Sequence, residues 1–121
     1  VFTRCPGPCP VMSVQMKRFY DEFPEAVCVS FTTDPVYDTP AVLKKYAEGF
    51  GAEVGRWRFL TGSKDQIDRI LEGMHLPRML QPGDHETRFV LIDRLGVIRG
   101  YYSYGDPDEL NRLRKDARKL L

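Results

Sequence analysis

With 18 Lys and Arg against 17 Asp and Glu, this chain of 121 residues carries a net charge of +1, a balance that argues for neither a nucleic-acid nor an acidic partner. Its length suits one compact domain, residues 1–121, burying roughly two thirds of the surface that the unfolded chain would expose. No apolar run approaches the roughly 18 residues of a membrane span, and three cysteines are too few for a disulfide scaffold.

The chain begins without Met, in what reads as mid-strand (Val1-Phe2-Thr3), so residues ahead of it are expected to be missing, a membrane anchor among them. After Pro10, Met12, Met16, Phe19 and Phe23 recur at helical spacing and predict the buried stripe of a first helix ending before Pro24. Ala26 to Thr33, rich in β-branched and aromatic residues, reads as a central strand broken by Asp34-Pro35. Thr39 caps a second helix with Pro40 at its first position and Leu43, Tyr46, Ala47 and Phe50 on its apolar face. Trp57 to Leu60 is a short strand. Ser63 and Gln66 have the spacing of a capping box ahead of Ile67, Ile70 and Leu71.

From Gly73 to Glu86 every periodicity fails, and a long irregular loop is expected. Arg88 to Asp93 and Val97 to Tyr102 read as a hairpin around Arg94-Leu95-Gly96. Asp106, Pro107 and Glu109 open a last helix with Leu110, Leu113, Ala117 and Leu120 on its apolar side. The basic run Arg112, Arg114, Lys115, Arg118 and Lys119 suits the solvated face and C-terminus of that helix.

The chemistry concentrates in Cys5-Pro6-Gly7-Pro8-Cys9-Pro10, two thiols four positions apart where a strand hands over to a helix. Pro10 fits the first helical turn, leaving Cys9 near the cap, where unpaired backbone donors favour an anion. A thiol there loses its proton more readily, and the thiolate attacks disulfides or binds a soft metal. A purely structural disulfide would close too small a loop to stabilise much. Cys28, between Val27 and Val29, reads as a small buried core residue. Met12 and Met16 read as core. Met74, His75 and Met79 in the irregular loop read as linker, with assistance in metal transfer as the sharper alternative.

The order β-α-β-α-β-α-β-β-α with a thiol pair after the first strand is a thioredoxin-like arrangement: an α/β fold, a central mixed sheet with helices on both faces, truncated at its N-terminus. The stretch Phe2-Thr3-Arg4-Cys5-Pro6-Gly7-Pro8-Cys9-Pro10 resembles the cysteine motif of the Sco/SenC family of copper-binding, thioredoxin-like proteins. Thr33-Asp34-Pro35-Val36-Tyr37-Asp38-Thr39-Pro40 with Leu43-Lys44-Lys45-Tyr46-Ala47, then Trp57-Arg58-Phe59-Leu60-Thr61-Gly62, then Asp84-His85 followed by Phe89-Val90-Leu91-Ile92-Asp93, resemble that family's further signatures in its own order.

The resemblance implies copper, as Cu(I) with Cu(II) left open, bound by Cys5, Cys9 and His85. It also implies a part in metallating the copper centre of cytochrome c oxidase. Ligands in open α/β sheets gather at the carboxyl ends of parallel strands. An antiparallel strand from Arg88 would start at that edge, and this would bring His85 beside the cysteines. Without the resemblance, His85 reads as a solvated loop histidine. Two thiolates and an imidazole suit Cu(I), whereas structural zinc wants four ligands.

Two function classes follow. One is a copper chaperone or assembly factor; the other is a thiol-disulfide oxidoreductase using Cys5 and Cys9 as its redox-active pair, and His85 discriminates between them. Thiol peroxidase, which needs a lone activated cysteine, does not fit. The implied partners are the copper-centre subunit of the oxidase and other copper chaperones or thiol-disulfide proteins. Contact with a membrane would come only through a segment outside the chain. The protein is expected to be a monomer on the extracytoplasmic side: periplasmic and membrane-anchored in a bacterium, or in the mitochondrial inner membrane facing the intermembrane space in a eukaryote.

Overall fold

The structure, a computed structural model, describes residues 3–5, 7–77 and 87–121, with residue 8 by its backbone. They form two compact units, Val1–Glu86 and Thr87–Leu121. In the first, helix α1 (Pro8–Glu22) leads to strand β1 (Cys28–Phe31), helix α2 (Pro40–Gly49), strand β2 (Trp57–Leu60) and helix α3 (Lys64–Gly73). The second holds strand β3 (Arg88–Ile92), strand β4 (Ile98–Ser103) and helix α4 (Pro107–Leu120). The described strands form two two-stranded sheets, one in each unit: β1 and β2 run parallel, with Cys28 opposite Trp57 and Phe31 opposite Leu60, and β3 and β4 run antiparallel, with Arg88 opposite Ser103. No described helix is long and apolar enough to cross a membrane.

The helix starts follow from their caps. Thr39 accepts from the Val42 N–H ahead of Pro40, and Ser63 and Gln66 close a reciprocal capping box. Asp106 accepts from the N–H groups of Asp108 and Glu109. Helix α1 departs from expectation in its start and in its buried side. It starts two residues earlier, at Pro8 with Gly7 as its cap residue, so Pro10 sits third in the helix. Its buried line is Cys9, Ser13, Tyr20 and Phe23, while Met12, Met16 and Phe19 are only half-buried. Counting apolar side chains missed Ser13 because its hydroxyl is satisfied inside the fold, by Tyr46 of α2 at 3.0 Å.

Behind this line, Tyr20, Cys28 and Trp57 form a core flanked by Phe19, Phe50 and Phe59. Tyr20 and Trp57 lie 5.7 Å apart, Trp57 stacks on Phe59 at 5.0 Å, and Tyr46 meets Phe59 edge-on at 5.7 Å, fixing α2 against β2. Helix α1 has no basic residue in its last turn. The Arg56 guanidinium takes that role from outside, donating to the Tyr20 and Phe23 carbonyls at 2.9 and 3.1 Å and lying 3.9 Å over the Tyr20 ring.

In the second unit, the Asp93 carboxylate accepts from the Leu95 and Val97 N–H groups at 2.9 and 3.0 Å, and Gly96 takes φ of +81° to close the turn. Leu113 and Ala117 bury the inner side of α4, as expected.

Candidate metal centre

Cys5 and Cys9 are both outside any disulfide and both buried, 6 % and 0 % exposed, at the point where the arm Thr3-Arg4-Cys5 enters α1. Gly7 at the cap position has no side chain with which to receive the unpaired N–H groups of the first turn. The Cys5 sulfur receives them instead. Burial disfavours its charged form, but the Cys9 thiol and the backbone N–H groups of Cys9 and Gly7 all hydrogen-bond to it, and together they hold the Cys5 thiol below its ordinary value. The anion-favouring end of the helix therefore serves Cys5 rather than Cys9, because the helix starts before Cys9 and makes that residue a donor.

Around the pair lies a set of polar residues that apolar patterning passed over. The strand β1 ends at Phe31 and is followed by Thr32, Thr33 and Asp34, all buried. Asp38, fully buried, accepts from the Thr32 hydroxyl at 2.6 Å, from the Thr3 N–H at 3.0 Å and from the Thr3 hydroxyl. Asp34 receives Arg4 at 2.8 Å, and the same guanidinium lies 4.0 Å over the Tyr37 ring. The usable signal was three polar residues directly after a strand, with Asp38 four positions further on, at the carboxyl end where α/β folds gather ligands. On the far side of Cys9, Tyr46 shares its hydrogen bond with Ser13, one turn beyond Cys9. Burial pushes its hydroxyl up against the downward pull of Ser13, and the charges of Cys9, Cys5 and Asp38 push it further.

Cys28 is 3 % exposed, and burial pushes its thiol up to about 11, the opposite direction from Cys5. It is core, as its flanking valines predicted. His85 and Met79 lie outside the described residues. Met74 and His75 close α3, His75 with φ of 58°. Among the described residues no three His, Cys, Asp or Glu side chains are grouped to hold a metal. The donor chemistry of the pair suits a soft ion: two adjacent sulfurs, one drawn toward thiolate, fit Cu(I) better than an oxygen-seeking cation.

The family model for SCO1/SenC matches residues 1–120. This chain belongs to the SCO1/SenC family. A Stutzerimonas stutzeri protein whose name assigns it copper binding is 31 % identical over 113 residues, covering 83 % of this chain. The crystal structure of a SCO1/SenC family lipoprotein from Bacillus anthracis superposes with a TM-score of 0.79 at 29 % identity, covering 98 % of this chain and 76 % of that one. BsSco, described as a member of the Sco family of cytochrome c oxidase assembly proteins with a disulfide switch, superposes with a TM-score of 0.76 at 25 % identity, covering 98 % and 74 %. The fold of this SCO1/SenC chain is thioredoxin-like. The chain spans 53 % and 58 % of the length of two curated relatives.

Proposed function

We propose that this SCO1/SenC protein binds one Cu(I) through Cys5 and Cys9, with His85 as third ligand, and delivers it to the copper-centre subunit of cytochrome c oxidase. The observation that carries the reading is the thiol pair. Neither sulfur is in a disulfide, they are hydrogen-bonded to one another, and the first turn of α1 draws Cys5 toward the thiolate that a soft metal needs. The copper-binding name of the S. stutzeri relative supports the metal, and the oxidase-assembly description of BsSco supports the recipient. The family match across residues 1–120 supports reading the chain as one domain. The Bacillus anthracis lipoprotein supports an extracytoplasmic, membrane-anchored location, and we take the chain to act as a monomer.

A titration of the reduced protein with Cu(I), repeated after oxidising Cys5 to Cys9, tests this. One equivalent is expected before oxidation and none after, because metal needs both thiolates free. Equal uptake in the two states would sink the copper site. The second reading, a thiol-disulfide oxidoreductase acting on a partner's cysteines, is favoured by the same adjacent free thiols and by the disulfide switch of BsSco. Reduction of a partner's copper-site cysteines before loading would make the two roles successive steps.

A further inference from the structure

Two residues ahead of Cys5, the backbone and side chain of Thr3 are both fastened to a carboxylate that solvent does not reach. Asp38 is 0 % exposed, and a buried carboxylate is costly unless donors surround it. Here three do. The Thr3 N–H donates to Oδ2 at 3.0 Å, the Thr3 hydroxyl donates to Oδ1, and the Thr32 hydroxyl donates to Oδ2 at 2.6 Å. Asp38 thus joins the end of β1 to the arm carrying Cys5. The Thr32 hydroxyl is used twice, since it also accepts the Asp34 N–H at 3.0 Å, and Asp34 in turn holds Arg4. Cys9 has no part in this link. It rides on α1, whose next turn is held by the bond between Ser13 and Tyr46.

Cys9 is placed by the helix; Cys5, besides the bonds its sulfur receives from Cys9 and Gly7, follows an arm whose Thr3 and Arg4 are hydrogen-bonded to Asp38 and Asp34. We propose that Thr3 and Asp38 are positioning residues for the thiol pair, fixing where the Cys5 sulfur lies relative to Cys9 so that both could hold one Cu(I). The proposal rests on the copper reading above and deepens it. Neither residue is assigned contact with the metal. A hydrogen bond to a buried carboxylate is stronger than a neutral one, so its loss should be felt in the placement of Cys5.

Thr3→Val keeps the shape of the side chain and removes the hydroxyl donor, while Thr3→Ser keeps the donor. Competition for Cu(I) against the coloured chelator bicinchoninate is expected to show affinity about tenfold weaker in Thr3→Val, and within about twofold of wild type in Thr3→Ser. A second readout needs no metal. Brief iodoacetamide treatment of the reduced protein at pH about 9.5, above the ordinary thiol value, should modify Cys5 at least about fivefold faster in Thr3→Val, with Cys28 unchanged. Equal affinity and equal alkylation in the two variants would overturn the proposal. So would a loss of affinity accompanied by faster alkylation of all three cysteines, which would make Thr3 a prop for the whole fold. If the wild type takes up no Cu(I), the copper reading fails on its own account, and the Cys5 rates alone decide whether Thr3 positions that sulfur.

Discussion

Cys5 and Cys28 are both buried, yet their surroundings pull the two thiols apart in acidity. Cys28 packs with Tyr20 and Trp57, and burial pushes its thiol up to about 11 against the downward pull of the Arg56 charge. Burial acts in the same direction on Cys5, but its sulfur gains the Cys9 thiol and two N–H groups, and it ends below its ordinary value. Reactivity follows the thiolate. Near pH 8 only about one Cys28 in a thousand is ionised, so it should resist a brief alkylation that modifies Cys5 first and the fully buried Cys9 more slowly. Peptide-resolved mass spectrometry after short exposures checks the order. The rate at Cys5 should also reach half its plateau at a lower pH than that of a free cysteine peptide. Rapid modification of Cys28 would show that the core opens more readily than its packing implies.

At the scale of elements, the second unit is held by a contact that leaves no room for a side chain. Tyr102 is 1 % exposed, and its hydroxyl donates to Asp116 of α4 at 2.7 Å, which fixes the ring. A Cβ at Gly100, two residues earlier on the same face of β4, would lie 2.8 Å from the ring Cζ and 3.0 Å from Cε2. Because the ring is pinned at its far end, Gly100→Ala should destabilise the protein by about 1–3 kcal/mol, the usual cost of overpacking. Denaturant unfolding measures it, and wild-type stability in the variant would mean that the ring is free to turn aside.

Such a contact was not legible in the sequence. Gly100 and Tyr102 read only as two members of a strand, and nothing in strand periodicity says which ring lies flat against its own backbone. The elements themselves were legible where local chemistry specifies them: Thr39-Pro40, Ser63 with Gln66, and Asp106-Pro107 placed three helix starts correctly. The start of α1 was misread because Pro8 and Pro10 both suit a first turn, and Gly7 offers no side-chain cap to choose between them. The thiol pair itself could be read from spacing. Its supports were harder to read: Thr3 and Thr32 pass as strand residues, and although the polar run after β1 marks the place, only the fold brings positions 35 apart into one hydrogen-bonded group.

For the whole molecule, what matters is how much of the metal site exists only in the folded chain. A ligand stabilises a protein to the extent that it prefers the native state over the unfolded one. Cys5 and Cys9 are four positions apart, so an unfolded chain can still chelate Cu(I) with both, and their share of copper-induced stabilisation should be modest. His85 lies 76 positions beyond Cys9. Recruiting its imidazole requires either the fold or the closure of a long loop, so in the proposed site His85 is the ligand that links copper to native structure. Cu(I) is therefore expected to raise the Tm of the reduced wild type, and His85→Ala to retain near-stoichiometric copper on the two thiols while losing most of that rise. The same variant should keep any disulfide-reducing activity, which needs only the dithiol. Thermal melts of both proteins with and without Cu(I) make the comparison. An undiminished rise in His85→Ala would remove His85 from the ligand set and move the oxidoreductase reading ahead of the copper one.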